Sequence, residues 1–363
     1  MMNMETTNGI FGDEGYVFIV AEIGKAYIQT KEEQTNEQYL KNAKELIKAA
    51  KESGADAVKF QTHTVEDEQL PMAITAPHFS GTDRYEWVSR LTKASPLEFW
   101  QEIKRYCDEL DIALFSTPMS RGAARMIEYI DPPLWKVASS EILDFVLLDY
   151  IAATGKPIIL SSGMSTEEEL DASVAFLKKR TQHIAILHCI SKYPCPPEEI
   201  YLETIPYFAR RYGVPIGFSD HSLGHKAVLA AVAKGARIIE KHFSLSRDLW
   251  GSDHKVSMEP SEFKKMVEAI RANVFVDASQ FGQGIKVLDE IESAFRPVFR
   301  KSLMASQDIF ADTIITAETL YAMRPQQYAG GLPSEQYESV LGKRVTRDLK
   351  KYDPITEDVL ASL

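Results

Sequence analysis

One feature constrains the fold more than any other: an alternation carried from Val17 to Phe275. Short, unbroken apolar runs are each followed by a segment with apolar residues at helical spacing. The runs cover residues 17–24, 57–62, 113–117, 134–139, 157–162, 184–189, 216–219 and 237–241. Apolar runs without period-two alternation are the signature of strands buried on both faces. Between them, 37–53 repeats Leu40, Ala43, Leu46, Ile47 and Ala50 and ends at Gly54, as an amphipathic helix does. Residues 96–110, 121–130, 144–154, 166–179, 199–212, 223–234 and 260–275 follow the same helical pattern. The polar stretch 63–95 is expected to be a loop, and a loop of that length in a compact domain is usually functional.

Alternating strands and helices build either an open doubly wound sheet or a closed barrel. In an open sheet, functional residues gather at one switch point. Here polar residues close the apolar runs all the way along: Glu22, Lys59, Gln61, Thr117, Lys136, Ser139, Ser161, His188, Ser219, His221, Lys241 and His242. That distribution selects a (β/α)₈ TIM barrel. Past Gly284 the composition changes to a mixed, charged connector over 285–299. Short β-like pieces follow at 301–305, 313–316, 321–324 and 341–346. The expected division is a barrel over 1–280, a linker over 281–298 and a small C-terminal β-rich domain over 299–363. The last is marginal for a core of its own and is expected to pack on a barrel.

The 363 residues carry a formal net charge of −11, which excludes nucleic acid and anionic membrane surfaces as partners. No run is long enough to span a bilayer. The amino terminus, residues 1–15, is polar and acidic with no apolar core behind a basic start. Cys107, Cys189 and Cys195 have neither metal-site nor redox spacing, as in a reducing compartment. The expectation is a soluble cytoplasmic protein.

The run ends define the chemistry. A lysine inside an apolar strand, such as Lys59 or Lys136, needs either a buried ion pair with Glu22 or Glu141 or an anionic ligand. With Thr117, Ser139, Ser161 and Ser219 at neighbouring strand ends, the two lysines form a phosphate or carboxylate cradle, although each hydroxyl alone is also a helix cap. His221 and His242 close adjacent strands, with Asp220, Glu240 and Asp253 nearby in the chain. Two imidazoles plus oxygen donors fit Mn²⁺ or Mg²⁺ better than structural Zn²⁺, which needs four closed ligands. From the residues alone, the expectation is a metal-assisted reaction on an anionic substrate, of unspecified type.

The motifs also carry a resemblance. Ala21-Glu22-Ile23-Gly24, Gly54-Ala55-Asp56-Ala57-Val58-Lys59-Phe60-Gln61-Thr62, Phe115-Ser116-Thr117-Pro118 and Trp135-Lys136-Val137-Ala138-Ser139-Ser140-Glu141-Ile142 are similar to stretches of the sialic acid (N-acetylneuraminate) synthase family. That family includes legionaminic, pseudaminic and spore-coat polysaccharide synthases. Ser161-Ser162-Gly163-Met164, His188-Cys189-Ile190-Ser191-Lys192-Tyr193-Pro194 and the stretch 217–255 continue the match. Arg300-Lys301-Ser302, Met323-Arg324-Pro325 and Leu341-Gly342-Lys343 resemble the antifreeze-like (SAF) domain of those enzymes.

The resemblance implies condensation of phosphoenolpyruvate with N-acetylmannosamine or a related acetamido hexose, with release of phosphate. It implies Glu22, Lys59, Lys136 and Glu141 as catalytic residues. Lys59, Thr117, Lys136, Ser139, Ser161, Ser191 and Ser219 would hold phosphoenolpyruvate, and Gln61, Glu141, Tyr193, Asp253 and Arg324 would face the sugar. His221 and His242 would bind Mn²⁺ or Mg²⁺. Arg324 would come from the partner of a domain-exchanged homodimer. The alternatives are another phosphoenolpyruvate–aldehyde condensing 3-deoxy-ulosonate synthase and a non-catalytic carbohydrate-binding relative. Two departures fall on the sugar side. Lys25-Ala26-Tyr27-Ile28-Gln29 replaces the family's Asn-His-Asn/Glu-Gly run, and Gln326-Gln327-Tyr328-Ala329-Gly330-Gly331 replaces a short glycine turn.

Overall fold

The computed structural model describes residues 15–74 and 83–361. The polar amino-terminal segment and the middle of the expected 63–95 loop therefore lie outside the described residues. Eight parallel strands run β1 (Phe18–Gly24), β2 (Ala57–Thr62), β3 (Ala113–Pro118), β4 (Trp135–Val137), β5 (Ile158–Ser161), β6 (Ile184–Cys189), β7 (Ile216–Asp220) and β8 (Ile238–His242). All neighbours in the chain except β3 and β4 pair with each other, and β8 pairs back to β1. β3 and β4 lie side by side and complete the ring, the expected (β/α)₈ TIM barrel.

The unbroken apolar runs conceal a period of two. Phe18, Val20, Ala57, Phe115, Leu134, Ile159, Ala185, Leu187 and Ile238 form one apolar cluster that fills the barrel interior. Their neighbours Ile19, Ala21, Val58, Leu114, Val137, Leu160, Ile186 and Ile239 pack outward against the helices. Successive strand residues point to opposite faces, so stepping by two from the interior set names the next inward layer. On β1 that step leads to Glu22, on β2 to Lys59 and Gln61, on β3 to Thr117, on β4 to Lys136 and on β5 to Ser161. On β6 it leads to Cys189 and on β8 to Glu240 and His242. The barrel is thus apolar at its base and polar at the carboxyl ends of its strands.

Three expectations need correction. The 63–95 stretch is not all loop. Helices Val65–Glu68 and Arg84–Ala94 lie in it, the second capped by Asp83, whose side chain accepts from Glu86 N at 2.8 Å, and burying Trp87, Val88, Leu91 and Ala94 at helical spacing. The charged connector ends in a helix, Glu290–Phe299. In the small domain, the pieces at 301–305 and 321–324 form the antiparallel pair β9 (Ser302–Ala305) and β10 (Leu320–Met323). Those at 313–316 and 341–346 make only isolated bridges, Ile314 with Arg344 and Val345 with Leu360.

The small domain packs on its own barrel. Lys301 Nζ reaches Glu141 Oε2 at 2.6 Å and Asp144 Oδ2 at 2.7 Å, and Arg324 Nη2 donates to Glu141 Oε1. Backbone bonds join Arg324 N to Glu68 O and Leu70 N to Arg324 O, each 2.9 Å. The side chains of Lys301, Arg324, Glu141 and Asp144 are all buried.

Candidate active site

The polar layer at the strand ends is a closed ionic set. Lys59 Nζ lies 2.6 Å from Glu22 Oε2, 2.9 Å from Thr117 Oγ1 and 3.7 Å from Glu240 Oε2. Lys136 Nζ donates to Ser161 Oγ at 2.6 Å and lies 3.9 Å from the same Glu240 Oε2. Ser219 Oγ donates to Glu240 Oε1 at 2.9 Å, and Gln61 Nε2 donates to Glu22 Oε1 at 3.2 Å. Strands β1, β2, β3, β4, β5, β7 and β8 thus meet through two ammoniums and two carboxylates.

These charges respond differently to burial. Burial alone would raise Glu240, but the Lys136 and Lys59 ammoniums and the Ser219 hydroxyl hold it at about 2. Glu22 goes the other way: burial lifts it above the ordinary carboxylate range, Lys59 opposes that lift and Glu240 adds to it. Burial lowers Lys136, and Glu240 offsets only part of that. For Lys59, Glu22 and Glu240 outweigh burial and raise it. The two carboxylates thus differ in proton affinity, Glu22 being raised and Glu240 lowered, a division of the kind acid–base sites use.

A second group flanks this set. A Cβ built on Gly163 would fall on the Ser191 hydroxyl, 2.6 Å from Ser139 Oγ and 3.0 Å from Cys189 Sγ. The glycine therefore lets the loops after β4, β5 and β6 close to hydroxyl contact. Above the set, Gly24 stands at the meeting of Glu22, Gln61 and Asp253: its Cβ would lie 3.1 Å from Glu22 Oε1, 3.5 Å from Gln61 Nε2 and 3.7 Å from Asp253 Oδ2. The Tyr193 ring lies over His221 with centroids 4.1 Å apart, and the residue is exposed, as expected at the rim.

His221 and His242 converge, their ring centroids 5.6 Å apart. His221 Nδ1 lies 2.7 Å from the Ile190 carbonyl, which can only accept, so in the neutral ring Nε2 keeps its lone pair. His242 Nδ1 is buried with no hydrogen-bond partner, and burial first, then His221 and Lys59, push this imidazole down to about 3 against the pull of Asp253. A neutral imidazole with an unpartnered nitrogen is the form that ligates a cation. Among the described residues no group of three or more His, Cys, Asp or Glu is arranged to hold a metal. The donor set fits a hard divalent ion that takes two imidazoles and leaves its other positions to oxygen ligands; it does not fit a closed structural site.

Glu141 and Arg324 form a third group, with Lys301, at the junction with the small domain. The resemblance implied that Arg324 arrives from a partner chain; within the single chain its guanidinium donates to Glu141. The Asn-His departure also resolves. Ala26, Tyr27 and Ile28 are buried, and Tyr27 packs on Tyr39, Phe60 and Phe99 in the wall between strands and helices. Lys25 of this run turns to the site, 3.4 Å from Asp253.

Three polar strand ends lie elsewhere. Lys241 pairs with Asp220 at 2.6 Å on the outer face, so the Asp220 carboxylate is taken up by an ion pair there. His188 donates to or accepts from nothing in the polar layer: it bonds the Ile200 carbonyl at 2.6 Å and stacks on Phe218. Glu240, by contrast, is central although only its nearness to the histidines marked it in the sequence; the step Ile238, Glu240, His242 identifies it.

A TIM barrel with a polar layer of paired lysines and carboxylates, carrying a small β-rich domain, is a class shared by known proteins. The NeuB family pattern matches residues 46–280, and the SAF domain pattern matches residues 300–361. This chain belongs to the NeuB family. It is 34% identical over 327 residues to pseudaminic acid synthase of Helicobacter pylori, which spans 88% of this chain and 94% of that one. It is also 34% identical over 322 residues to N,N'-diacetyllegionaminic acid synthase of Campylobacter jejuni, covering 87% of this chain and 94% of that one. The crystal structure of the spore coat polysaccharide biosynthesis protein SpsE of Bacillus subtilis superposes with a TM-score of 0.76 at 30% identity, over 97% of both chains. Among the described residues no helix is long and apolar enough to cross a membrane.

Proposed function

We propose that this chain is a nonulosonic acid synthase that joins phosphoenolpyruvate to the aldehyde of N-acetylmannosamine or a related acetamido hexose and releases phosphate. The observation that carries this reading is the buried set Lys59, Lys136, Glu22 and Glu240, flanked by the Ser139–Gly163–Ser191 cradle. Two buried ammoniums beside converging hydroxyls suit a small, multiply charged anion, and the names of the relatives supply the product class.

In this reaction C3 of phosphoenolpyruvate forms a bond to the aldehyde carbon, water adds to C2, and the C2–O bond to phosphate breaks. Lys59, Lys136, Thr117, Ser139, Ser161, Ser191 and Ser219 bind and orient the donor and take up the charge of the departing phosphate. Glu22, with its raised proton affinity, moves a proton between water and the sugar oxygen, while Glu240 holds the two lysines in place. Gln61, Tyr193, Asp253 and Lys25 face the acceptor, and Glu141 with Arg324 closes its far side. His221 and His242 would hold Mn²⁺ or Mg²⁺, which when bound supplies Lewis-acid polarisation of the aldehyde. An exchanged homodimer would form the Arg324–Glu141 contact between chains, and light scattering distinguishes it from a monomer.

The test is phosphate release from phosphoenolpyruvate with Mn²⁺, using N-acetylmannosamine, its 6-phosphate, mannose and diacetamido hexoses as acceptors. Release with one acceptor, absent in His221→Ala, is the expected result. Folded protein that neither releases phosphate nor binds phosphoenolpyruvate would end the proposal.

A further inference from the structure

The helix Glu290–Phe299, which joins barrel to small domain, grips the loop after β5 from several sides. Glu292, at its amino-terminal turn, is 1% exposed, and its Oε1 accepts from Ser191 N at 2.7 Å and from Met164 N at 3.2 Å. The same oxygen receives Lys286 Nζ at 3.2 Å, and Lys286 also donates to Ser162 O at 3.2 Å. Further along the helix, Arg296 and Arg300 donate to Met164 O at 3.3 and 2.9 Å. Both arginines also pair with Glu169, and Lys192 pairs with Asp289, which caps the helix. Both backbone groups of Met164, a non-glycine residue at φ +47°, are therefore held by this one helix.

The gripped residues are next to, or within, the cradle. Met164 follows Gly163, whose position decides how near Ser139 and Ser191 stand to each other, and Ser191 is itself a cradle residue. A buried N–H left without an acceptor is costly, so the two amides follow the carboxylate wherever it sits.

We infer that Glu292 is a positioning residue for the anion cradle: it holds the Met164 and Ser191 amides so that the Ser139 and Ser191 hydroxyls converge. It touches no substrate and acts through those two loops. Its consequence for turnover rests on the function proposed above. Donor affinity is then set partly by the linker, outside the barrel strands.

The experiment compares full-length wild type with Glu292→Ala, which removes the acceptor, and Glu292→Gln, which keeps an oxygen but loses the charge. Because weakening one hydrogen bond to a charged group lowers affinity about tenfold or more, Glu292→Ala should raise the KM for phosphoenolpyruvate about tenfold. The kcat and the KM for the acceptor sugar should stay within about threefold, and Glu292→Gln should fall between the two. A merely structural role would lower the folded fraction and apparent kcat and leave KM alone. An active Glu292→Ala enzyme with wild-type KM for phosphoenolpyruvate overturns the inference. Should wild type show no turnover with any acceptor, amide hydrogen exchange decides it instead. Peptides covering Met164 and Ser191 should exchange at least about tenfold faster in Glu292→Ala, with the β1 and β8 peptides unchanged. Equal exchange at Met164 and Ser191 overturns the inference whatever the reaction catalysed.

Discussion

Replacing Gly163 by alanine tests the cradle most directly. The new methyl would fall on the Ser191 hydroxyl and stand 2.6 Å from Ser139 Oγ, well inside contact distance. The glycine's backbone carries no left-handed strain, so the whole effect is steric. The two hydroxyls must swing away or the β5 loop must shift, and overpacking of this kind costs about 1–3 kcal/mol. For a barrel of this size that lowers the melting temperature by about 2–5 °C, which leaves the protein folded at 25 °C. The loss at the anion site should be larger in proportion. Hydrogen bonds to a charged group are worth about 1.5–3 kcal/mol, so displacing one hydroxyl weakens phosphoenolpyruvate binding about 10- to 150-fold. The assay is calorimetric titration of phosphoenolpyruvate into both proteins, with the KM measured alongside where turnover allows. Affinity within twofold of wild type, in a protein that melts a few degrees lower, would refute the placement of the anion between these hydroxyls.

The ion pair at the domain junction should be costly to break from one side only. Arg324→Leu leaves the fully buried Glu141 with Lys301 and the Ser140 hydroxyl and should cost about 3–5 kcal/mol in urea unfolding, while the double change with Glu141→Leu should recover much of it. Asp67 supplies a pH signature. Burial raises it to about 6, against the Ser120 hydroxyl and the Gly122 amide, so the folded state binds this proton more tightly than the unfolded chain does. Its favourable contribution is present below about pH 4 and is lost as pH rises to about 6, and relative to Asp67→Asn the wild type should lose about 3 kcal/mol between pH 4 and pH 7. A stability difference between the two that does not vary with pH would refute the assignment. Chelation should stop phosphate release and added Mn²⁺ restore it, whereas His242→Ala should not respond to either; activity that survives exhaustive chelation would remove the metal from the proposal.

The barrel was legible because parallel strands covered on both faces must be apolar throughout, and because the polar ends recur round the ring. Which polar ends face inward was less so. Lys241 and Glu240 are neighbours, and only the period-two step from the interior residue Ile238 sends Glu240 to the centre and Lys241 outward to Asp220. The helix Arg84–Ala94 was hidden by its polarity: its buried stripe is broken by Arg84, which buries its guanidinium over Phe299. In the small domain, β9 and β10 have apolar runs long enough to read, but the 313–316 and 341–346 pieces are held by single bridges and backbone bonds from distant loops. Glu292 was beyond reach for the same reason. Its partners Ser191 and Met164 are 101 and 128 residues away in the chain, and a surface-looking acidic helix start gives no sign of them.

The layering of the barrel interior also fixes an order of events. Phe18, Phe115, Leu187 and Ile238 pack the floor beneath the polar layer, which leaves the carboxyl ends of the strands as its approach. Lys59 and Glu240 lie one inward step below Gln61 and His242, next to that floor, while Tyr193 stands at the rim. On the proposed function, the enolpyruvate must descend before the sugar can seat above it, and a seated sugar bars the donor's exit. Such a chamber works as a queue: the first molecule in is trapped by the second. Steady-state kinetics should then be ordered, with an unreactive sugar analogue slowing the escape of phosphoenolpyruvate instead of competing with it.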